Sequence, residues 1–361
     1  MNPGLKILLM PLAWLYGLVT ALRNRLYDLR FLTEHRFEKH TIGVGNLAVG
    51  GAGKTPLVEY LIRILLQENK SIATLSRGYK RKTKGFLLAT DVSNADDIGD
   101  EPLIYKTKYP ITVAVDGNRV NGIKQLMALP NAADVILLDD VFQHRAVRAG
   151  LNILVTDYNN LFFNDVLLPA GTLREYASGM ERADVIIVSK TPDRTTPIEL
   201  RNILKDIRPM PHQQVFFSYL QYGELYALNN PNDTLSTLND LYRYTIISFA
   251  GIANAGPMVN YLKEYASDCR HLPFNDHHAF SIKDLEDIQR YYDTFQNGSK
   301  ALVTTEKDLM RLRHPDVWPI ASSMNIYILP VEVTFRDKAD EFDNLIHTYV
   351  RRNKFHHEKY S

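Results

Sequence analysis

Cysteine is nearly missing from this chain: Cys269 is the single one among 361 residues. An intramolecular disulfide is therefore excluded, which fits a reducing compartment. No Cys/His cluster has metal-finger spacing, so a zinc-finger module is excluded as well. Nor does one sign of charge dominate, since 42 Lys and Arg face 41 Asp and Glu for a formal net charge of +1. That balance carries no global signal for nucleic acid, and no nucleic-acid partner is expected. Internal repeats and long low-complexity tracts are lacking too. What is left is a chain long enough for two domains and a large core.

The densest signal is rich in glycine. Residues 42–56 read Ile-Gly-Val-Gly-Asn-Leu-Ala-Val-Gly-Gly-Ala-Gly-Lys-Thr-Pro, and a helical pattern follows from Leu57 to Leu66. A strand feeding a glycine turn, then Gly-Lys-Thr and a helix, is the context of a phosphate-binding loop. The glycines let backbone N–H groups approach phosphate oxygens, and the helix start adds its free N–H groups and positive dipole end. Gly50, Gly51, Ala52, Gly53, Lys54 and Thr55 are the expected nucleotide ligands. Lys54 would reach the β- and γ-phosphates, and the Thr55 hydroxyl would sit on Mg²⁺. Ala48 stands where the strict pattern has its first glycine.

Upstream, Ile7 to Leu22 carries no charge and lies between Lys6 and the basic Arg23, Arg25 and Arg30. It is a little shorter than the ~20 apolar residues of a spanning helix, and Pro11 interrupts it. A signal peptide suits the length but not a nucleotide loop just beyond it. Burial in a core remains open. Membrane contact is favoured, with Trp14 and Tyr16 at the interface and the arginines on anionic headgroups.

Downstream, the strand pattern 71–75 runs into a basic turn that begins Ser76-Arg77-Gly78-Tyr79, where an open α/β sheet would bind a ligand. Asp100 is either a helix cap or a catalytic carboxylate. The apolar run Val135–Leu138 ends in Asp139-Asp140, as a buried strand does when it delivers a carboxylate to Mg²⁺. Alternation along the strand leaves open which of the two faces the metal. Further strands at 152–157 and 183–190 imply an α/β fold with a doubly wound, mostly parallel sheet. Lys190-Thr191-Pro192-Asp193 lacks the asparagine of the guanine-reading pattern, so guanine specificity is not supported. Strands at 214–219 and 325–329 are expected to form a two-stranded linker to a second, smaller α/β domain. Inside that block, Asp276-His277-His278 is an acid/base or metal-ligand candidate.

Taken together, several of these pieces resemble the tetraacyldisaccharide 4′-kinases. They are Val44-Gly45-Asn46-Leu47 with Gly50–Pro56, Leu75–Tyr79, Gly99–Pro102, Asp139–His144, Leu168–Glu175, Phe249–Ile252, Asp276–His278 and Thr304–Asp308, in the family's order over most of the chain. Val141 and Thr172 depart from its usual Gly and Pro. The resemblance implies an ATP- and Mg²⁺-dependent kinase at the cytoplasmic face of the bacterial inner membrane. Its acceptor would be the 4′-hydroxyl of an acylated glucosamine disaccharide 1-phosphate, a lipid A precursor, with the N-terminal helix meeting the lipid surface.

The catalytic expectation follows from that chemistry. Lys54, the loop amides and Mg²⁺ stabilise charge, and Thr55 with Asp139 or Asp140 holds the metal. Asp100 is the base, paired with His277 or His278, and Arg77, Arg119, Arg174 and Glu175 contact the substrate. The expected organisation is an apolar N-terminal segment (1–36), a P-loop domain (37–210), a smaller α/β domain with linker strands (211–335) and a C-terminal helix and tail (336–361). Oligomeric state is left open. A membrane-associated ATPase or nucleotide switch could use the same loop, but the missing guanine motif and the Asp/His cluster speak against it.

Overall fold

The computed structural model describes residues 3–236, 240–295 and 298–352; Asn353 and Lys354 of the expected polar tail fall outside them. Eight strands come first: β1 (His40–Gly45), β2 (Ile72–Ser76), β3 (Leu87–Leu88), β4 (Thr112–Val115), β5 (Val135–Asp139), β6 (Leu151–Asp157), β7 (Val185–Ser189) and β8 (Gln214–Tyr222). Then follow β9 (Leu225–Ala227), β10 (Asn230–Leu235), β11 (Tyr244–Ala250), β12 (Asp268–Pro273), β13 (Ser299–Thr305), β14 (Ile326–Leu329) and β15 (Val331–Phe335). The helices are α1 (Pro3–Asp28), α2 (Lys54–Gln67), α3 (Ala95–Ile98), α4 (Asp100–Lys108), α5 (Arg119–Met127), α6 (Pro197–Ile207), α7 (Gly256–Tyr265), α8 (Ile282–Asp293), α9 (Glu306–Leu312), α10 (Trp318–Ala321) and α11 (Ala339–Arg351).

Two sheets result. The first runs β15-β8-β7-β6-β1-β5-β2-β4-β3, and the second β10-β9-β14-β13-β11-β12. In the first sheet β1 lies between β5 and β6, all parallel. Its interior strands β1, β2, β5 and β7 are buried almost throughout, as strands covered by helices on both faces must be. The loop after β1 and the aspartates at the end of β5 therefore emerge side by side at the same sheet edge. Gly45 makes the approach possible: a Cβ there would meet the Phe142 Cβ at 2.5 Å.

The chain leaves the first sheet through β8 and returns through β15, which pair antiparallel. The expected return strand was 325–329. That segment is instead β14, paired with β13 and β9 in the second sheet. Pro330 is the reason. It has no N–H to continue a ladder, so one apolar run is cut into a strand of each sheet. Helix α11 locks the crossing. Phe342, fully buried, packs its ring 4.5 Å from that of Phe335 on β15 and 5.3 Å from that of Phe216 on β8.

Helix α1 is continuous through Pro11, giving up one backbone bond there. Only one stripe of it is covered. Ala13 is 2% exposed, while Ile7, Leu8, Trp14 and Leu18 are between 64% and 73% exposed. It is long and apolar enough to cross a membrane by length and composition.

Phe342→Ala is expected to destabilise the fold by about 3–5 kcal/mol through loss of buried aromatic surface at this crossing. Urea unfolding followed by tryptophan fluorescence measures it; a change under about 1 kcal/mol would show that α11 does not clamp the strands.

Candidate active site

The glycine loop ends where α2 begins. Gly53 caps the helix at φ 80°, in the left-handed region where glycine is free of strain. The loop is tied down from β7 and the residue beyond it. Ser189 Oγ donates to the Ala52 carbonyl at 2.7 Å, and Lys190 Nζ bonds the Gly51 carbonyl as well as Asp157. Lys54 Nζ sits 3.0 Å from Asn46 Oδ1 and 3.2 Å from Asp140 Oδ1.

The two aspartates at the end of β5 differ sharply. Asp140 takes a positive φ of 49° and turns toward the loop, where Arg174 Nη1 also binds it at 2.9 Å. Burial works against its charge, but Lys54 and Arg174 hold its carboxyl below the ordinary range. Asp139 stays within the strand, is 5% exposed, and accepts from Tyr105 Oη at 3.1 Å. Burial pushes its carboxyl up to about 6, with Glu101 adding and Lys54 opposing. Thr55 and these carboxylates are hard oxygen donors, the kind that suits Mg²⁺. The residues present fit that ion.

Helix α4 joins this corner to the second sheet. Its Tyr105 holds Asp139, and its first residue, Asp100, meets His277, with Nδ1 2.9 Å from Oδ2. Arg311 of α9 donates to the same oxygen from Nε at 2.9 Å and Nη2 at 2.6 Å. Burial alone would raise the Asp100 pKa, yet His277 and Arg311 bring it down to about 2. An ionised carboxylate only accepts, so His277 Nδ1 must donate, which fixes the proton there when the ring is neutral. His278 turns the other way, its Nε2 3.0 Å from Asp284. The structure thus brings Asp100 to His277 and not to His278.

Of the arginines expected at the acceptor, Arg77 is exposed after β2, and Arg174 is engaged with Asp140 and Gln143. Two expected substrate contacts are buried instead. Arg119, 2% exposed, spends its guanidinium on the carbonyls of Asp116 and Asp139. Glu175, 3% exposed, accepts from Asn24 of α1, Gln143 and Arg182. These side chains build the scaffold in this structure. Asn46, Gln143 and Tyr105 were not singled out beforehand for these contacts. Arg311 was also missed, although its i,i+3 spacing from Asp308 in α9 was a readable cue for an ion pair.

A nucleotide switch has no use for a buried carboxylate–imidazole pair reached from a second sheet. The arrangement suits a P-loop kinase, which must take a proton from its acceptor. The family model for tetraacyldisaccharide-1-P 4′-kinase matches residues 5–351. A tetraacyldisaccharide 4′-kinase of Bacteroides thetaiotaomicron is 43% identical over 96% of this chain and 93% of its own. That of Flavobacterium johnsoniae is 42% identical over 97% and 98%. The crystal structure of LpxK from Aquifex aeolicus, in complex with ATP, is 29% identical and matches with a TM-score of 0.73 over 96% of this chain and 99% of the other. The chain belongs to the tetraacyldisaccharide 4′-kinase family. Its reaction is ATP-dependent 4′-phosphorylation of a lipid A precursor.

Asp100 also predicts an acid response. Its folded pKa of about 2 lies below the unfolded value of 3.8, so its stabilising contribution is complete above about pH 4 and is lost as pH falls through about 2. That contribution is at most about 2 kcal/mol. Denaturant unfolding across this window should show wild type losing more stability than Asp100→Asn; equal losses would contradict the assignment.

Proposed function

We propose that the Asp100–His277 pair takes the proton from the acceptor 4′-hydroxyl while Lys54 and the loop amides stabilise the transferring phosphoryl group. The observation that carries this reading is the 2.9 Å bond between Asp100 and His277, 177 residues apart in sequence. In a loose phosphoryl-transfer transition state the hydroxyl proton departs late, so a carboxylate with a low resting pKa is an adequate acceptor. Thr55 and Asp139 would hold the metal, because Asp140 is already engaged with Lys54 and Arg174. Mg²⁺ bound there would neutralise charge on the phosphates. Arg77 and Arg174 remain the side chains proposed to meet substrate. The two sheets would act as separate domains, with the pair formed across them.

The same reading places the enzyme at the cytoplasmic face of the inner membrane. The outward face of α1 supports it, since this is a contiguous apolar surface with nothing packed on it among the described residues. Beside it, Met10, Ala13, Trp14, Leu167, Leu173 and Tyr176 line a cleft of about 220 Å³. An acyl chain of the acceptor would find apolar walls there.

Transfer of ³²P from [γ-³²P]ATP to the disaccharide 1-phosphate tests the chemistry. Asp100→Ala and His277→Ala are each expected to lower kcat by about 100-fold or more, whereas His278→Ala keeps most of the turnover. If His278→Ala is the damaging variant, the histidine assignment is wrong. For the membrane, Leu8→Glu with Leu18→Glu should abolish cosedimentation with anionic vesicles while the protein stays folded. Undiminished binding would remove α1 from that role.

A further inference from the structure

Arg311 has no part in the reading just given beyond lowering the charge cost at Asp100, yet its setting is unusually complete. It is 6% exposed and every nitrogen of its guanidinium is used. Two of them, Nε and Nη2, hold Asp100 Oδ2. The third, Nη1, donates to the Gly251 carbonyl at 2.7 Å and to Asp308 Oδ1 at 2.8 Å. Asp308 is itself fixed. Its Oδ2 accepts from Thr305 Oγ1 at 2.7 Å, and its Oδ1 from the Gly251 amide at 3.1 Å. The Gly251 carbonyl in turn accepts the His277 amide at 2.8 Å. One small scaffold on the second sheet therefore aims both the guanidinium and the imidazole at Asp100. Residue 251 must be small for this, as a Cβ there would come within 3.1 Å of Arg311 Nη1 and 3.0 Å of the His278 Cβ.

We infer that Arg311 is a positioning residue for phosphoryl transfer, holding Asp100 against His277 so that the pair keeps the one hydrogen-bonded arrangement able to accept a proton. This rests on the reading of Asp100 and His277 as the proton-accepting pair. The groups facing Asp100 are few. His277 comes from the 276–278 loop, Arg311 and Lys307 from α9, and Glu101 stands beside it on α4. Lys307 is bonded to Glu101, and Asp308 lies beyond Arg311, so neither replaces the guanidinium. Without Arg311 the buried carboxyl takes up a proton more readily. A protonated Asp100 can no longer take the proton of the acceptor hydroxyl, and it donates to His277 Nδ1 instead of accepting from it.

The test is a cycle in the full-length enzyme with Arg311→Met, Arg311→Lys, Asp100→Ala and the double variants. Lys108→Met serves as control, because Lys108 bridges Glu306 of α9 and Glu59 and so cross-links the far end of the same helix pair. Arg311→Met is expected to lower kcat about 100-fold with little change in KM for ATP, and to move the acidic limb of the pH–rate profile upward from its wild-type position. Arg311→Lys should recover part of the rate. In the Asp100→Ala background Arg311→Met should cost less than about threefold, since residues acting through one another are not additive. Lys108→Met should lower the Tm without moving the limb. Multiplicative losses in the cycle, an Arg311→Met enzyme with near wild-type kcat, or a Lys108→Met enzyme with the same upward movement of the limb would each overturn the inference. If Arg311→Met does not fold, the cycle is read with Arg311→Lys, whose loss must likewise vanish beside Asp100→Ala. Near wild-type turnover by Asp100→Ala alone would instead sink the underlying reading of the pair.

Discussion

One buried carboxylate oxygen ties the two sheets together. Asp100 Oδ2 receives His277 and Arg311, both from the second sheet, while Asp100 itself opens the helix that braces Asp139 beside the phosphate loop. Desolvating a carboxylate is costly unless cations and donors compensate it. Here they come from residues far along the chain. The Asp100–His277 pair and the phosphate loop are thus linked through a single contact region.

The rest of that region is charge-matched along two helices. Asp100, Glu101 and Lys108 of α4 face Arg311, Lys307 and Glu306 of α9 in reversed order, as an antiparallel pair requires. Lys108 also reaches Glu59 on α2, the helix that starts with Lys54. Such buried pairs add little net stability by themselves. Their geometric demand is what counts, because only one register satisfies every partner.

At the loop, Lys54 is held by Asp140 and Asn46 at the place where a nucleotide's phosphates are expected. An ammonium so placed is oriented without being lost in the core. Helix α1 is fastened to the same corner from outside: Tyr16 donates to the Arg174 carbonyl at 2.8 Å, and Asn24 to Glu175. The apolar helix α1 and the side chains around the glycine loop are therefore joined at one corner.

Much of this was legible in the linear chain. Glycines before Gly-Lys-Thr, apolar runs ending in aspartate, and an uncharged stretch flanked by arginines are local patterns whose physics acts over a few residues. The loop and the parallel sheet, as well as the exposed α1, follow from them. Other features depend on partners remote in sequence. Asp139 and Asp140 are neighbours with opposite surroundings, because a left-handed φ at Asp140 turns it to Lys54 while Asp139 stays under Tyr105. His277 and His278 are equally adjacent, and packing alone sends one to Asp100 and the other to Asp284. Arg119 and Glu175 read as substrate contacts in the linear chain, yet neighbouring elements close over them, and Pro330 hands one apolar run to two sheets. By itself the sequence determined a glycine-rich phosphate loop ending in Gly-Lys-Thr, candidate acid/base side chains, and an apolar N-terminal stretch flanked by arginines. Only the tertiary structure decided which of those groups meet, because burial and long-range pairing are properties of the folded chain and not of any segment of it.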